Sequence, residues 1–566
     1  MNNESMVDEI VVEENPVGVR LVPGLTVLVF LVFSDIRLMW MVRDQDAPGW
    51  QLTITAYILA WVTIYFLLTS QRKAIRVIAE VVLFSVIYTD IVYLLMSAYP
   101  FSFPDAINIR NNFGYASGAI TSFSNIFLVA LFVTAGCFVL VKRLLVTAPV
   151  RKKQWKKTLI PLNTVLATAA FFSPAIFDFL PGVYRVPGNL LAASIMSPED
   201  KWQRASVNTV NINAGARDVV LVIDESISAT ALSINDFQVS TTPFLNSNRN
   251  AYTNFGIACS FTNFSAGSNF ALVSGLTPDD LPDYSFKAFA RPSVFQFAKE
   301  AGYTTYLLDA QTDVDQLHNY TTKDDLQNVD EVYRPHVADK NLPLFYRDQA
   351  VGERLLGLIA DKESSFILIN KFGAHWPYHV NYPPSYRAAG IPDRDKTSNE
   401  YLTAVAWSVD KFWKRIMPAL NGPDVNAVII YTADHGENFD AGLYQMRHAS
   451  VYNAAVKEGQ VPLLLIDRAG LLPENFLPEP RMYSHAQIFP TLLQAMGYDK
   501  AAIFNDYGSG LMDPLPEEKP WFLTGDLFGR GKNYRRSAEV QSSLILSSNS
   551  TTASTPSLNS TEAWSK

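Results

Sequence analysis

The chain has 566 residues, 48% of them hydrophobic, and a formal net charge of -8 at pH 7. That length allows two or three domains and a sizeable core, and an acidic balance with no basic face excludes a nucleic-acid partner. Of the two cysteines, Cys137 lies inside an apolar run, which excludes a disulfide framework built with Cys259.

Residues 1–182 read as a transmembrane domain. Five segments (21–42, 52–70, 74–97, 119–141 and 159–180) are apolar over the roughly 20 residues a bilayer requires. The first has an acidic flank (Asp8, Glu9, Glu13, Glu14) and no small-residue cleavage site, so it is expected to be a retained span. Arg72, Lys73 and Arg76 follow the second span. Arg143, Arg151, Lys152, Lys153, Lys156 and Lys157 follow the fourth. Both basic loops are expected in the cytoplasm, and an odd number of spans then places everything after Leu180 outside it. Asp35, Arg37, Glu80 and Asp90 fall inside spans, where ionisable groups often mark function; the favoured reading is pairing within a bundle or a span boundary that lies elsewhere. The aromatic and Asn-rich loop 99–118 is expected outside the cytoplasm, against lipid headgroups.

Residues 183–206 read as a linker and 207–540 as a catalytic domain. Its predicted strands are 219–223, 304–308, 366–370, 428–431 and 461–466. Its predicted helices are 293–301, 349–360, 401–420 and 485–496, the first opened by Pro292 and stopped by Gly302. Apolar strands alternating with helices imply an α/β domain with a mostly parallel central sheet, covered on both faces. Residues 541–566 are rich in Ser, Thr and Asn and read as a disordered tail.

Ligands of such sheets bind at the carboxyl ends of the strands. Asp224 and Glu225 follow one strand, Lys371 to Pro377 with His375 another, and Asp434-His435-Gly436-Glu437 a third. Oxygen and nitrogen donors of this kind suit zinc, with manganese as the alternative. Taken singly, Asp-His is a surface turn and His before Trp-Pro is packing; their conjunction at successive strand ends favours a metal site. A nucleophile is expected in 259–275, where a polar loop enters a helix whose first N–H groups would hold a phosphate. Ser260, Thr262, Ser265 and Ser268 are all candidates on these grounds.

These residues resemble the bacterial inner-membrane phosphoethanolamine transferases of the alkaline phosphatase/sulfatase superfamily. In that family five spans precede a periplasmic sulfatase-like domain. Its strand-end Gly-Glu-Thr is similar to Asp224-Glu225-Ser226, and its nucleophile context to Ser265-Ala266-Gly267-Ser268. The resemblance therefore implies Ser265 as nucleophile, and Glu225, Ser265, Asp434 and His435 as metal ligands. It implies substrate-binding roles for His375, His448 and Gln460, and a structural role for the helix around His485. Four departures stand out: no family disulfides, Ser in place of the Thr nucleophile, Gln460 where the family has His before Val-Pro, and no Arg in Ile227-Ser228-Ala229. The implied reaction moves phosphoethanolamine from a membrane phospholipid to lipid A or another envelope glycan, with the chain acting as a monomer. A phosphoglycerol transferase or phosphodiesterase of the same superfamily, or a non-catalytic envelope scaffold, are the alternatives. A sulfatase is disfavoured, because Cys/Ser-x-Pro-x-Arg is absent around Ser265.

Overall fold

The computed structural model describes residues 50–97, 100–111, 124–145, 161–163, 180–195, 202–209, 215–312, 319–391, 395–439, 447–451, 454–529 and 533–538. The first expected span with its Asp35 and Arg37, most of the fifth and the expected tail lie outside these residues.

The N-terminal part contains the helices α1 (Trp50–Leu68), α2 (Lys73–Ser97), α3 (Phe103–Asn111), α4 (Ser124–Leu145) and α5 (Gly182–Ile195). Among the described residues one helical stretch, Lys73–Met96, is long and apolar enough to cross a membrane; Thr55–Leu68 and Ser124–Val139 are shorter apolar stretches. Ile64, Leu68, Leu83 and Ile87 bury against one another, and Phe84 meets Phe138 edge-on at 5.7 Å. The outward faces stay apolar: Ile78 is 63% exposed and Phe132 74%. Asp90 forms a buried ion pair with Arg185 at 2.8 Å, so pairing accounts for this acid.

Helix α5 occupies the first half of the stretch read as a linker. Beyond it Arg204 is clasped by the next domain, pairing with Asp325 and donating to Ala288 O and Arg291 O at 2.9 Å each.

The α/β domain then runs β1 (Asp218–Asp224), β2 (Thr253–Cys259), α6 (Ser265–Ser274), α7 (Val294–Glu300), β3 (Thr304–Asp309), β4 (Glu331–Tyr333) and α8 (Arg347–Ala360). It continues with β5 (Ser365–Asn370), α9 (Lys396–Val405), α10 (Phe412–Leu420), β6 (Ala427–Ala433), β7 (Gln460–Asp467) and α11 (Ile488–Ala495). A small hairpin of β8 (Trp521–Thr524) and β9 (Tyr534–Ser537) follows. The seven-stranded sheet has the order β2-β7-β6-β1-β5-β3-β4. Every residue of β1 and β6 is buried, as expected of β-branched runs covered on both faces.

Strands β1, β3, β4, β5 and β6 are parallel, while β7 runs antiparallel to β6 and β2 antiparallel to β7. Two reversals leave β2 running the same way as β1, so the loop after Cys259 emerges at the edge where β1, β5 and β6 end. The sequence pattern did not reveal β2: Gly256 and a register shift between Asn254 and Ile257 break its alternation. The helix expected at 401–420 starts earlier, at Lys396, capped by Asp395 accepting from Ser398 N at 3.0 Å. It is also interrupted by a wide π turn at Ala406–Lys411.

Candidate metal and phosphoryl-transfer site

Glu225 leaves β1, Asp434 and His435 leave β6, and Ser265 opens α6. These four side chains converge. Ser265 Oγ donates to Glu225 Oε1 at 3.0 Å and lies 3.2 Å from His435 Nε2. His435 Nε2 is 3.5 Å from Glu225 Oε1 and 3.6 Å from Asp434 Oδ2. Glu225, Asp434 and His435 are buried.

The backbone aims each group. Ser226 takes a left-handed φ of 59°, and its N–H and that of His435 donate to Asp434 Oδ1 at 3.0 and 2.7 Å. Among the described residues none donates a hydrogen bond to Asp434 Oδ2, although it is buried. His435 Nδ1 meets Gly436 O at 2.8 Å. That contact fixes a proton on Nδ1, so Nε2 is the ring nitrogen that faces the cluster, offering its lone pair to a cation that displaces its proton. An orphaned carboxylate oxygen, a second carboxylate, a hydroxyl and an imidazole lone pair fit a dication. The electrostatics agree. Burial would raise Glu225, but its hydrogen bond to His435 and that ring's charge outweigh burial and hold it well below the usual carboxylate range. Asp434 is pushed far upward by burial and then by the Glu225 charge. Burial opposes the imidazolium of His435, yet Asp434 and Glu225 draw it up to about 10. Two buried acids that cannot both ionise comfortably make a site short of positive charge.

A second group adjoins the first. His448 Nδ1 is 2.8 Å from Glu437 Oε2, and its ring lies 4.5 Å from that of His435. Tyr378 donates a short hydrogen bond to Glu437 Oε1. His435, Glu437 and His448 also have ligand atoms close enough for one ion. His375 is lowered by burial, with Glu225 acting the other way, so it lies within electrostatic reach of the cluster. Gln460 starts β7, where its backbone packs against Gly436; among the described residues its side chain makes no hydrogen bond to the cluster.

The other hydroxyls are occupied by the loop itself. Ser260 Oγ donates to Thr262 O at 2.7 Å, Thr262 Oγ1 to Phe264 O at 2.7 Å, and Ser268 Oγ to Thr262 O at 3.1 Å. His485 also belongs to the scaffold: it accepts from Phe261 N at 3.3 Å, meets Thr432 Oγ1 at 3.1 Å, and burial holds it neutral at about 3. One contributor escaped the sequence reading. Gln311, just beyond β3, donates to Glu225 Oε2 at 3.2 Å and to Lys371 O at 2.8 Å.

Residues 217–498 match the family model described as Sulfatase. The chain carries a sulfatase-family domain. The sulfatase domain places Glu225, Ser265, Asp434 and His435 within that match. The Escherichia coli protein YhbX, named provisionally as a transferase, is 23% identical over 271 residues, 47% of this chain and 47% of its own length. The chain thus spans about half the length of the curated relatives it matches. The integral membrane lipooligosaccharide phosphoethanolamine transferase A (EptA) of Neisseria meningitidis superposes with a TM-score of 0.59 at 18% identity, covering 85% of this chain and 96% of its own. The zinc-complexed C-terminal periplasmic domain of EptC from Escherichia coli gives 0.48 at 18% identity, covering 59% and 96%. The likeness to EptA is one of fold.

Glu458 ties the two sides of this site together. It accepts from Asn263 Nδ2 at 2.7 Å, Ser450 N at 3.2 Å and Ala455 N at 2.8 Å. Burial raises it from 4.5 to about 7. A carboxyl raised on folding holds more protons in the folded state between those values. Its contribution to stability is full below the unfolded pKa and lost as pH rises through the folded one. Glu458→Gln is therefore expected to gain thermal stability relative to the parent between about pH 5 and pH 8, on the order of a few kcal/mol. Parallel melting curves across that range would contradict this.

Proposed function

We propose that the chain is a metal-dependent transferase that moves phosphoethanolamine from a membrane phospholipid, through a covalent intermediate on Ser265, to lipid A or another envelope glycan. The observation that carries this reading is the placement of Ser265 Oγ. It is the one candidate hydroxyl aimed into the Glu225–His435 cluster, and it sits at the N-terminus of α6, where free N–H groups favour a phosphoryl oxygen.

Glu225, Ser265, Asp434 and His435 are the proposed metal ligands, for zinc with manganese as the alternative. The bound cation would lower the pKa of the serine hydroxyl and screen charge on the non-bridging phosphoryl oxygens. Ser265 Oγ attacks phosphorus, an Oγ–P bond forms, and the bond from phosphorus to the diacylglycerol oxygen breaks. His448, oriented through Nδ1 by Glu437, presents its other ring nitrogen as the proton donor to that departing oxygen. His375, His448 and Gln460 are assigned to substrate binding, His375 and His448 by their closeness to the cluster and Gln460 by its place at the start of β7. In the second step an acceptor hydroxyl, giving its proton to His448, or an acceptor phosphate attacks the same phosphorus, the Oγ–P bond breaks, and Ser265 Oγ regains from solvent the proton it released on attack.

The exposed apolar residues of α2 and α4 support a multi-pass anchor in the bacterial inner membrane with the sulfatase domain in the periplasm. Such an anchor raises the local concentration of a lipid donor. The chain is read as a monomer.

Mass spectrometry of the intact protein after incubation with phosphatidylethanolamine vesicles tests the chemistry. One phosphoethanolamine on Ser265 is expected. A phosphoglycerol adduct formed only from phosphatidylglycerol would favour the phosphoglycerol transferase instead. Exhaustive chelation should abolish labelling and added zinc restore it; labelling indifferent to chelators would remove the metal from the proposal.

A further inference from the structure

Behind the cluster lies a fully buried ion pair that the proposed chemistry does not use. Lys371, just past β5, pairs with Asp224 at the end of β1, and both side chains are 0% exposed. Lys371 Nζ also donates to Ser408 O at 2.7 Å and Ser408 Oγ at 3.0 Å. It lies 3.8 Å from Asp348 Oδ2 and 4.5 Å from the centre of the Phe412 ring. Ser408 reaches it from the wide turn between α9 and α10, where the extra residue turns that helix's backbone inward. Asp224 Oδ2 accepts as well from Tyr431 Oη at 2.9 Å.

The remaining atoms of this network hold the backbone that carries two of the proposed ligands. Asp224 Oδ1 accepts from Glu225 N at 3.1 Å, and Asp224 O accepts from Asp434 N at 2.9 Å. Asp348 takes the N–H groups of Phe372 and Gly373 at 2.6 and 3.2 Å, and the next residue, Ala374, donates to Glu225 O at 3.0 Å. The pair thus grips the Glu225 peptide from both sides and the start of the Asp434 turn. A buried ion pair contributes little stability beyond well-packed apolar side chains of the same volume. Groups just outside a metal's ligands commonly set affinity by fixing those ligands.

We propose that Lys371 is a positioning residue of the metal site: by locking the Asp224 carboxylate it holds Glu225 and Asp434 at the separation a dication requires. The inference rests on reading the cluster as a metal site.

Zinc affinity of the full-length detergent-solubilised protein, measured by competition with a chromophoric chelator, tests it alongside the melting temperature of the metal-free protein. Lys371→Met leaves Asp224 buried without its cation. It is expected to lower the melting temperature and to weaken zinc binding about 10- to 100-fold. The double variant Asp224→Asn/Lys371→Met removes both charges and is expected to recover the metal-free melting temperature but not the zinc affinity. If Lys371→Met does not fold, the double variant alone decides. Parental zinc affinity in Lys371→Met, or recovery of affinity together with stability in the double variant, overturns the proposal. Glu225→Gln separates the two levels: if it binds zinc as tightly as the parent, it is the metal reading that fails.

Discussion

Ser265→Ala is expected to lower phosphoryl transfer at least about 10⁴-fold, the scale at which a nucleophile's removal leaves only binding and electrostatic stabilisation. Zinc binding should weaken but persist, since Glu225, Asp434 and His435 remain. Ser265→Thr keeps a hydroxyl at the same Cβ and should lose less than about tenfold. The contrast with Thr262→Ala is the decisive control. Thr262 Oγ1 is spent on Phe264 O, so its loss should cost roughly 1 kcal/mol of stability and leave the covalent adduct intact. An adduct that survives Ser265→Ala but vanishes in Thr262→Ala would move the nucleophile.

That control addresses a choice the residues alone left open. Four hydroxyls lie within nine positions, and only tertiary hydrogen bonds separate the three that stitch the loop from the one that faces the cluster. Glu225, Asp434 and His435 were legible for a simpler reason: each directly follows an apolar strand of a sheet whose ligands gather at strand ends. Gln311 obeys the same rule, two residues beyond Asp309, and passed unnoticed because a carboxamide is not itself a metal ligand. Lys371 was visible only as the opening of the His375 segment. Its partner Asp224 looked like half of an acidic pair, and nothing local shows that the two oppose each other across adjacent strands. Strand β2 was hidden by its own irregularity, yet without it the serine loop has no route to the active edge.

Gly373 marks the tightest point of that assembly and carries the second large expectation. Its φ is +62°, and a Cβ there would stand 2.4 Å from Glu225 O and 2.6 Å from both Glu225 N and Asp224 Oδ1. Two of these atoms belong to backbone, so the strain must displace either the turn or the Glu225 peptide. Gly373→Ala is expected to cost roughly 3 kcal/mol, combining left-handed strain with overpacking. Zinc affinity should fall about 10- to 100-fold, because the displaced peptide carries a ligand. Gly302→Ala supplies the reference: its φ is +83° with nothing within 4 Å of the added carbon, so it should cost about 1 kcal/mol and leave zinc affinity unchanged. Calorimetric melting of the metal-free variants gives the first quantity and chelator competition the second. Equal losses in the two variants, with zinc affinity intact in Gly373→Ala, would mean that the turn after β5 does not constrain Glu225.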